Sequence, residues 1–175
     1  MNLVFDIETN GLLDNVSTIH CIGIYDLDNH ETHIFNDKGG DKAPITRGIT
    51  MLEEADSIIG HNVIGFDCPA IQKIYPFFKP QGMVIDTLIM SRCYHANLLE
   101  LDQKRRWPDM PAKLYGSHSL KAYGYRLGEN KAEIETDWSD WSQEMEDYME
   151  QDVVVTRKLW KHFHPYLNGS KWSSR

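Results

Sequence analysis

Hydrophobic and polar positions follow two periods along this chain, and the change from one to the other marks out its elements. The first run, Leu3-Val4-Phe5-Asp6-Ile7-Glu8, is apolar apart from two acids two residues apart. Strand side chains alternate between faces, so the run predicts a central strand with Leu3, Phe5 and Ile7 packed on one side and Asp6 and Glu8 projecting together on the other. Thr9-Asn10-Gly11-Leu12-Leu13 follows, and its Asn-Gly step signals a turn. Two β-rich runs, Thr18 to Tyr25 and Glu31 to Phe35, flank Asp28-Asn29-His30 and predict a hairpin. Ile45, Ile49 and Leu52 then recur at helical spacing opposite Glu53-Glu54, which predicts a helix crossing back over the sheet. Ser57 to Gly60 and Met83 to Ile85 read as short strands, and Asp86-Thr87 as the cap of a helix holding Leu88, Met90 and Tyr94. Residues 96–116 show no clean period and read as a loop. Ser117-His118-Ser119 offers caps for a helix with Leu120, Tyr123 and Leu127 that closes near Gly128. Finally Met145, Tyr148, Met149, Asp152, Leu159 and Phe163 form one stripe, a long helix whose flanking residues outweigh the β-prone Val153-Val154-Val155.

A chain of 175 residues with 41% hydrophobic content can bury one good core, so a single domain over residues 1–167 with a polar tail at 168–175 is expected. No apolar run approaches the ~18 residues of a membrane span, and a first strand at Leu3 leaves no room for a signal peptide. The expectation is a soluble cytoplasmic protein with no membrane partner. Cys21, Cys68 and Cys93 are odd in number and widely spaced, which excludes a disulfide framework and a CxxC metal knuckle; buried, reduced thiols are expected. A net charge of −8 excludes a protein that coats nucleic acid by charge alone, because counterion release needs a basic footprint. It leaves room for an enzyme that grips a strand end.

The acids change the picture most. Asp6 and Glu8 on one strand face repel one another and lose hydration, a conflict relieved by a proton or by a cation between them. An all-oxygen ligand set favours Mg or Mn over zinc. For this stretch alone, an exposed acid pair on a solvated face is the competing reading. Asp67 follows a strand expected to run parallel to the first. It is either a helix N-cap or a site residue on the edge where open α/β sheets gather their ligands. Asp152 sits inside an apolar stripe with Tyr148 one turn before it, which fits a further metal ligand and a hydroxyl that orients water; Tyr148 as plain core is the alternative. Leu12 and Leu13 stand at the mouth of the acidic site, either as a wedge against a nucleobase or as core. Lys104-Arg105-Arg106-Trp107 interleaves cations with an aromatic, as phosphate contacts and base stacking require, or else forms a solvated loop. Asp86 reads as a structural cap, His20, His30 and His33 receive no role, and the acidic, Trp-containing stretch from Asp137 to Ser142 shows no purpose in the sequence.

Together, Asp6-x-Glu8, Asn62-x-x-x-Phe66-Asp67 and Tyr148-x-x-x-Asp152 resemble the three exonuclease motifs of the DEDD superfamily. The tyrosine places the resemblance in the DEDDy branch; the DEDDh branch carries a histidine where this chain has Asp147. Ile85 to Arg92, Gly116-Ser117-His118-Ser119, Tyr123 to Glu129 and Gln151 to Thr156 are further similar to the proofreading domain of T-odd coliphage family A DNA polymerases, from about Leu3 to Phe163. The resemblance implies an α/β, ribonuclease H-like fold with a five-stranded mixed sheet flanked by helices. It implies a 3′→5′ exonuclease that releases 5′-mononucleotides from DNA. Two divalent ions, Mg or Mn, would be held by Asp6, Glu8, Asp67 and Asp152, with Asp6 bridging and Tyr148 placing the attacking water. The terminal nucleotide would be met by Asn10 to Leu13, and Thr9, Asn62 and Phe66 belong to the same substrate-binding set. The implied partner is a DNA 3′ end, preferably single-stranded. Those polymerases carry both activities on one chain, whereas this one ends in a polar tail. Either a free-standing exonuclease, paired with a separate polymerase subunit in a bacterial host's cytoplasm, or an excised domain is therefore expected. An RNA-trimming enzyme of the same superfamily is one alternative. A catalytically dead interaction module is another, but it would be expected to have lost a ligand, and all four acids stand.

Overall fold

The first strand, β1 (Asn2–Thr9), alternates as its sequence predicts: Leu3, Phe5 and Ile7 enter one core layer and Val4 enters another. In this computed structural model, which describes residues 1–129 and 133–169, β1 is the middle of five strands in the order β3-β2-β1-β4-β5. β2 (Ile19–Asp26) and β3 (Glu31–Asn36) form the hairpin, with β2 antiparallel to β1. β4 (Ser57–Gly60) lies parallel to β1, and β5 (Met83–Asp86) parallel to β4. The expected five-stranded mixed sheet is present.

Two helices cover one face. Ile45, Ile49 and Leu52 of α1 (Ile45–Glu54) and Ala70 and Ile71 of α2 (Asp67–Ile74) pack with Leu3, Phe5, Ile7, Ile22 and Ile24. The other face is covered by the long α6 (Gln143–Leu167), whose Met149 and Val153 close over Val4, Cys21 and Ile59. Farther along, Val155, Leu159 and Phe163 of α6 pack with Met90 of α3 (Thr87–Tyr94) and Tyr123 of α5 (Leu120–Arg126). The valine run is helical because burying Val153 and Val155 in two cores at once outweighs their strand preference. Gly23, the β2 partner of Asp6, makes the close approach of α6 possible. A Cβ there would lie 2.0 Å from the Met149 Sδ and 3.1 Å from a Val153 methyl.

Two expectations need correction. Residues 96–116 are not a loop throughout but contain α4 (Leu98–Arg105) and a single 3-10 turn at Ala112–Leu114. Only Leu98 and Asp102 of α4 are buried, so this helix has no apolar stripe for periodicity to reveal. Of the three cysteines, Cys21 is buried, Cys68 partly buried and Cys93 exposed, and all are free. The stretch from Asp137 to Ser142 does have a purpose: it ties the start of α6 to the hairpin. His20 Nε2 donates to the Trp138 carbonyl at 3.0 Å, Lys38 pairs with Asp140 at 2.9 Å, and Glu146 accepts from Asn36 Nδ2 at 2.6 Å and from Trp141 Nε1 at 3.1 Å. No described helix is long and apolar enough to cross a membrane. Of the tail, residues 170–175 lie outside the described residues.

Candidate active site

Beyond Val4, the α6-facing side of β1 carries Asp6 and then Glu8, and α6 lays Asp152 against them. One carboxylate oxygen from each of the three lies within 4.8 Å of the others. Asp67 opens α2 just past the end of β4 and lines the same cleft, which measures about 260 Å³ and is completed by His61, Asn62, Phe66, Leu120 and Tyr148. Asp67 is not the N-cap: Phe66 holds that position with no side-chain bond, and Asp67 sits in the first turn, where an acid complements the helix dipole.

The turn that presents Asp67 is held from β5. Asp86 caps α3 by accepting from Leu88 N at 2.9 Å, and the same carboxylate accepts from Asn62 N at 2.9 Å and Ile64 N at 3.0 Å. It thereby fixes Asn62 in the left-handed region at φ 66°. The structural reading of Asp86 holds and is extended. Beside it, His61 Nε2 donates to the His118 carbonyl at 2.9 Å while Nδ1 meets Thr87 Oγ1 at 2.8 Å. Burial pushes the His61 pKa down to about 4, so the imidazole is neutral near pH 7 and its Nδ1 accepts from the Thr87 hydroxyl.

Among the described residues no Lys or Arg lines this cleft, and the His61 imidazole is neutral. Asp6, Glu8, Asp67 and Asp152 crowd negative charge into this one cleft. The Asp67 carboxyl shows the result. Burial, with repulsion from Asp86 and Asp152, pushes it up to about 7 against the backbone N–H groups of Asp67 and Ile7 that favour its ionised form. A donor set made of carboxylate oxygens fits hard divalent cations such as Mg or Mn.

The raised value fixes a pH dependence. An acid whose folded pKa is raised contributes stability that is complete below its unfolded value and lost as pH rises through the folded one, so the metal-free fold weakens between about pH 4 and 7. A cation must displace that proton. Apparent Mn affinity is expected to fall about tenfold per pH unit below 7, with proton release on binding. Calorimetry at several pH values in buffers of different ionisation heat measures both quantities, and an affinity independent of pH would remove Asp67 from the ligand set.

Tyr148 stands half-buried one turn before Asp152, and the Trp138 ring meets it edge-on at 6.3 Å between centroids. Of the substrate-binding set, Asn62 and Phe66 line the cleft. Thr9, Asn10, Leu12 and Leu13 enter or form the loop after β1. The Thr9 hydroxyl donates to the Gly11 carbonyl at 2.9 Å, and Asn10 Oδ1 accepts from the backbone of Ser17 and Thr18 at 3.0 Å each, so both side chains shape the loop. Lys73 Nζ donates to the Leu13 and Asp14 carbonyls and fastens the loop to α2. Leu13 packs on the core, but Leu12 is 77% exposed. Lys104, Arg105 and Arg106, at the end of α4, do not line the acidic cleft.

Sequence reasoning missed His61 and Trp138, which carry no periodic or motif signal, and it read Leu120 only as a helix position, not as part of the cleft. The further bonds of Asp86 become legible only once the strand order pairs Gly60 with Asp86.

The sequence profile of the RNase_H superfamily matches residues 3–164. The chain belongs to the RNase H superfamily. It is 36% identical, over an aligned length of 194 residues, to a DNA-directed DNA polymerase of Enterobacteria phage T3, and 35% identical over 199 to that of Escherichia phage T7. Each match takes in 93% of this chain but 27% of the polymerase, so the chain spans about a quarter of the length of these relatives. Among solved structures, Brucella melitensis NrnC bound to pGG is similar at a TM-score of 0.61 and 21% identity, over 98% of this chain and 76% of that one. NrnC with bound Mg2+ gives 0.60, 20%, 98% and 77%. The zinc-bound form of the E. coli ExoI–ssDNA complex gives 0.57 and 18%, over 98% of this chain and 42% of that one. These structural likenesses show the fold. The ribonuclease H-like fold and the similarity to phage polymerases read from the motifs both hold.

Proposed function

We propose that this chain is a metal-dependent 3′→5′ exonuclease that releases 5′-mononucleotides from DNA ends in phage-type replication or proofreading. The observation that carries this reading is the convergence of Asp6, Glu8 and Asp152 within 4.8 Å, with Asp67 and Tyr148 in the same cleft. Asp6, Glu8, Asp67 and Asp152 would hold two divalent ions, Mg or Mn. Bound there, such ions stabilise charge on the phosphoryl oxygens and acidify water to make a nucleophile. The chain supplies the rest. Tyr148, steadied by Trp138, directs its hydroxyl at the attacking water, and Asn62 and Phe66 bound the terminal nucleotide. The exposed Leu12, on a loop fixed by Thr9, Asn10 and Lys73, wedges against the terminal base. Lys104, Arg105 and Arg106 would meet phosphates outside the cleft. In this reading residues 1–167 are the exonuclease domain.

DNA is favoured because the relatives at 36% and 35% identity are DNA-directed DNA polymerases. Carboxylates that read phosphates do not read the sugar, and an NrnC of the same fold is known bound to pGG, so trimming of RNA ends is the second reading. Labelled oligomers of one sequence, as single-stranded DNA, blunt duplex and RNA, separate the two readings in the presence of Mg, Mn or chelator. Expected are mononucleotides from 3′ ends, lost on chelation. Single strands should be cut faster than blunt duplex, because a paired terminal base must first unstack, at a cost of a few kcal/mol. Faster loss of RNA selects the second reading. Normal degradation of DNA with a 3′ phosphorothioate cap, combined with protection by a 5′ block, rules out the 3′→5′ direction.

A further inference from the structure

Apart from the acidic cleft, α4, α5 and the ends of their neighbours enclose a pocket of about 560 Å³ that shares no lining residue with that cleft. The pocket size falls within the range of small-molecule sites. Its wall is largely apolar, with Leu101 and Trp107 among its residues, but three cations, Lys104, Arg105 and Arg126, converge on it against one carboxylate, Asp102. In a chain of net charge −8 this is a local reversal of sign.

Asp102 cannot neutralise all three. It already accepts from Trp107 Nε1 at 2.9 Å, Gly116 N at 2.8 Å, Arg126 Nε at 3.0 Å and Arg126 Nη2 at 2.7 Å. The third guanidinium nitrogen, Nη1, is buried and donates to no acceptor among the described residues, although the Arg126 side chain is only 5% exposed. Nη1 is too buried to touch a ligand, so its charge acts on the pocket through the field it adds to that of Lys104 and Arg105. The Arg105 guanidinium lies over the Trp107 ring at 4.3 Å from its centroid, an arrangement that leaves guanidinium edges to meet an anion.

We propose that this pocket binds a nucleoside monophosphate. Its phosphate lies against Lys104 and Arg105, in the field of the buried Arg126, and its base lies on the apolar wall at Trp107. Converging cations suit a phosphate dianion, while the apolar wall calls for a ligand with a flat hydrophobic body. The choice of a nucleotide over other aromatic phosphates rests on the exonuclease reading, whose product is such a molecule.

Calorimetric titration of the full chain with dAMP in chelator tests the site independently of cleavage, because without divalent ions the carboxylate cleft repels phosphate. One equivalent of dAMP should bind. The double variant Lys104→Ala/Arg105→Ala changes two exposed side chains, so it should melt with the parent while binding dAMP at least tenfold more weakly. Asp6→Asn should bind dAMP as the parent does. Inorganic phosphate and deoxyadenosine should each bind at least tenfold more weakly than dAMP, since each fills half of the site. No binding in chelator, an affinity unmoved by the double variant, or phosphate binding as tightly as dAMP would each overturn the proposal. Binding of dAMP by a chain that cleaves no oligomer would instead refute the exonuclease reading alone.

Discussion

Asp6→Ala is expected to lower cleavage by at least about 10³-fold, because charge stabilisation by the bound ions is worth several kcal/mol and each 1.36 kcal/mol is a factor of ten. Asp6 is the member of the close trio in the middle of the central strand, between Glu8 and the core, and faces Asp152 from α6. In the proposed reading, loss of the Asp6 carboxylate removes one of the oxygen donors that would hold the metal. The fold should survive. The variant lacks one of several repelling carboxylates, so without metal it should melt at or above the parent. The parent should gain stability from Mn, about 1.4 kcal/mol per independent site at ten times Kd. For a chain of this length that is a rise of roughly 3–6 °C. Most of that rise should be missing in Asp6→Ala. Thermal melts with and without Mn, run beside cleavage of end-labelled DNA, make the comparison. An equal Mn shift in parent and variant would place the metal elsewhere and restore the reading of a solvated acid pair.

The sequence shows most clearly those parts of this molecule in which apolar residues are buried at a regular period. Leu3, Phe5 and Ile7 alternate because β1 separates two cores, and Met145, Met149, Leu159 and Phe163 recur because α6 lies along the sheet and then over α3 and α5. Asp6, Glu8, Tyr148 and Asp152 were legible because they are exceptions to those periods, polar groups placed where the pattern calls for apolar ones. Helix α4 was invisible for the opposite reason: it is organised around a buried carboxylate, and hydrophobic periodicity is blind to hydrogen bonds. Leu12 and Leu13 are identical to a pattern reader, and only the turn geometry, with Val16 N donating to the Leu12 carbonyl at 2.8 Å, sends one to solvent and the other to the core. The contacts of His61 and Trp138 depend on segments 57 and 118 residues away, so no local signal could have disclosed them.

The largest loss of stability is expected from breaking the pair that organises α4. The side chains of Asp102 and Arg126 are 2% and 5% exposed, and their closest contact is 2.7 Å. Asp102→Ala strands the guanidinium and also leaves Trp107 Nε1 and Gly116 N without their acceptor. Removing one partner of a buried pair costs about 3–5 kcal/mol. At roughly 2–4 °C per kcal/mol, melting should fall by roughly 6–20 °C. Replacing both partners, as in Asp102→Leu/Arg126→Met, should recover much of that loss, because apolar groups of similar volume pay no charge desolvation. The effect should also depend on pH. Burial raises the Asp102 pKa, but hydrogen bonds from Arg126, Gly116 and Trp107 outweigh it and hold the carboxyl below its ordinary value. A depressed acid contributes stability that is complete above its unfolded pKa and lost as pH falls through the folded one. The melting gap between parent and Asp102→Asn should therefore be constant near neutral pH and narrow below about pH 4, where the unfolded carboxyl begins to hold its proton. A gap that stays constant into strong acid would mean that the ionised carboxylate is not what holds α4 in place. Asp102 would then act through shape and neutral hydrogen bonding, which its amide can imitate.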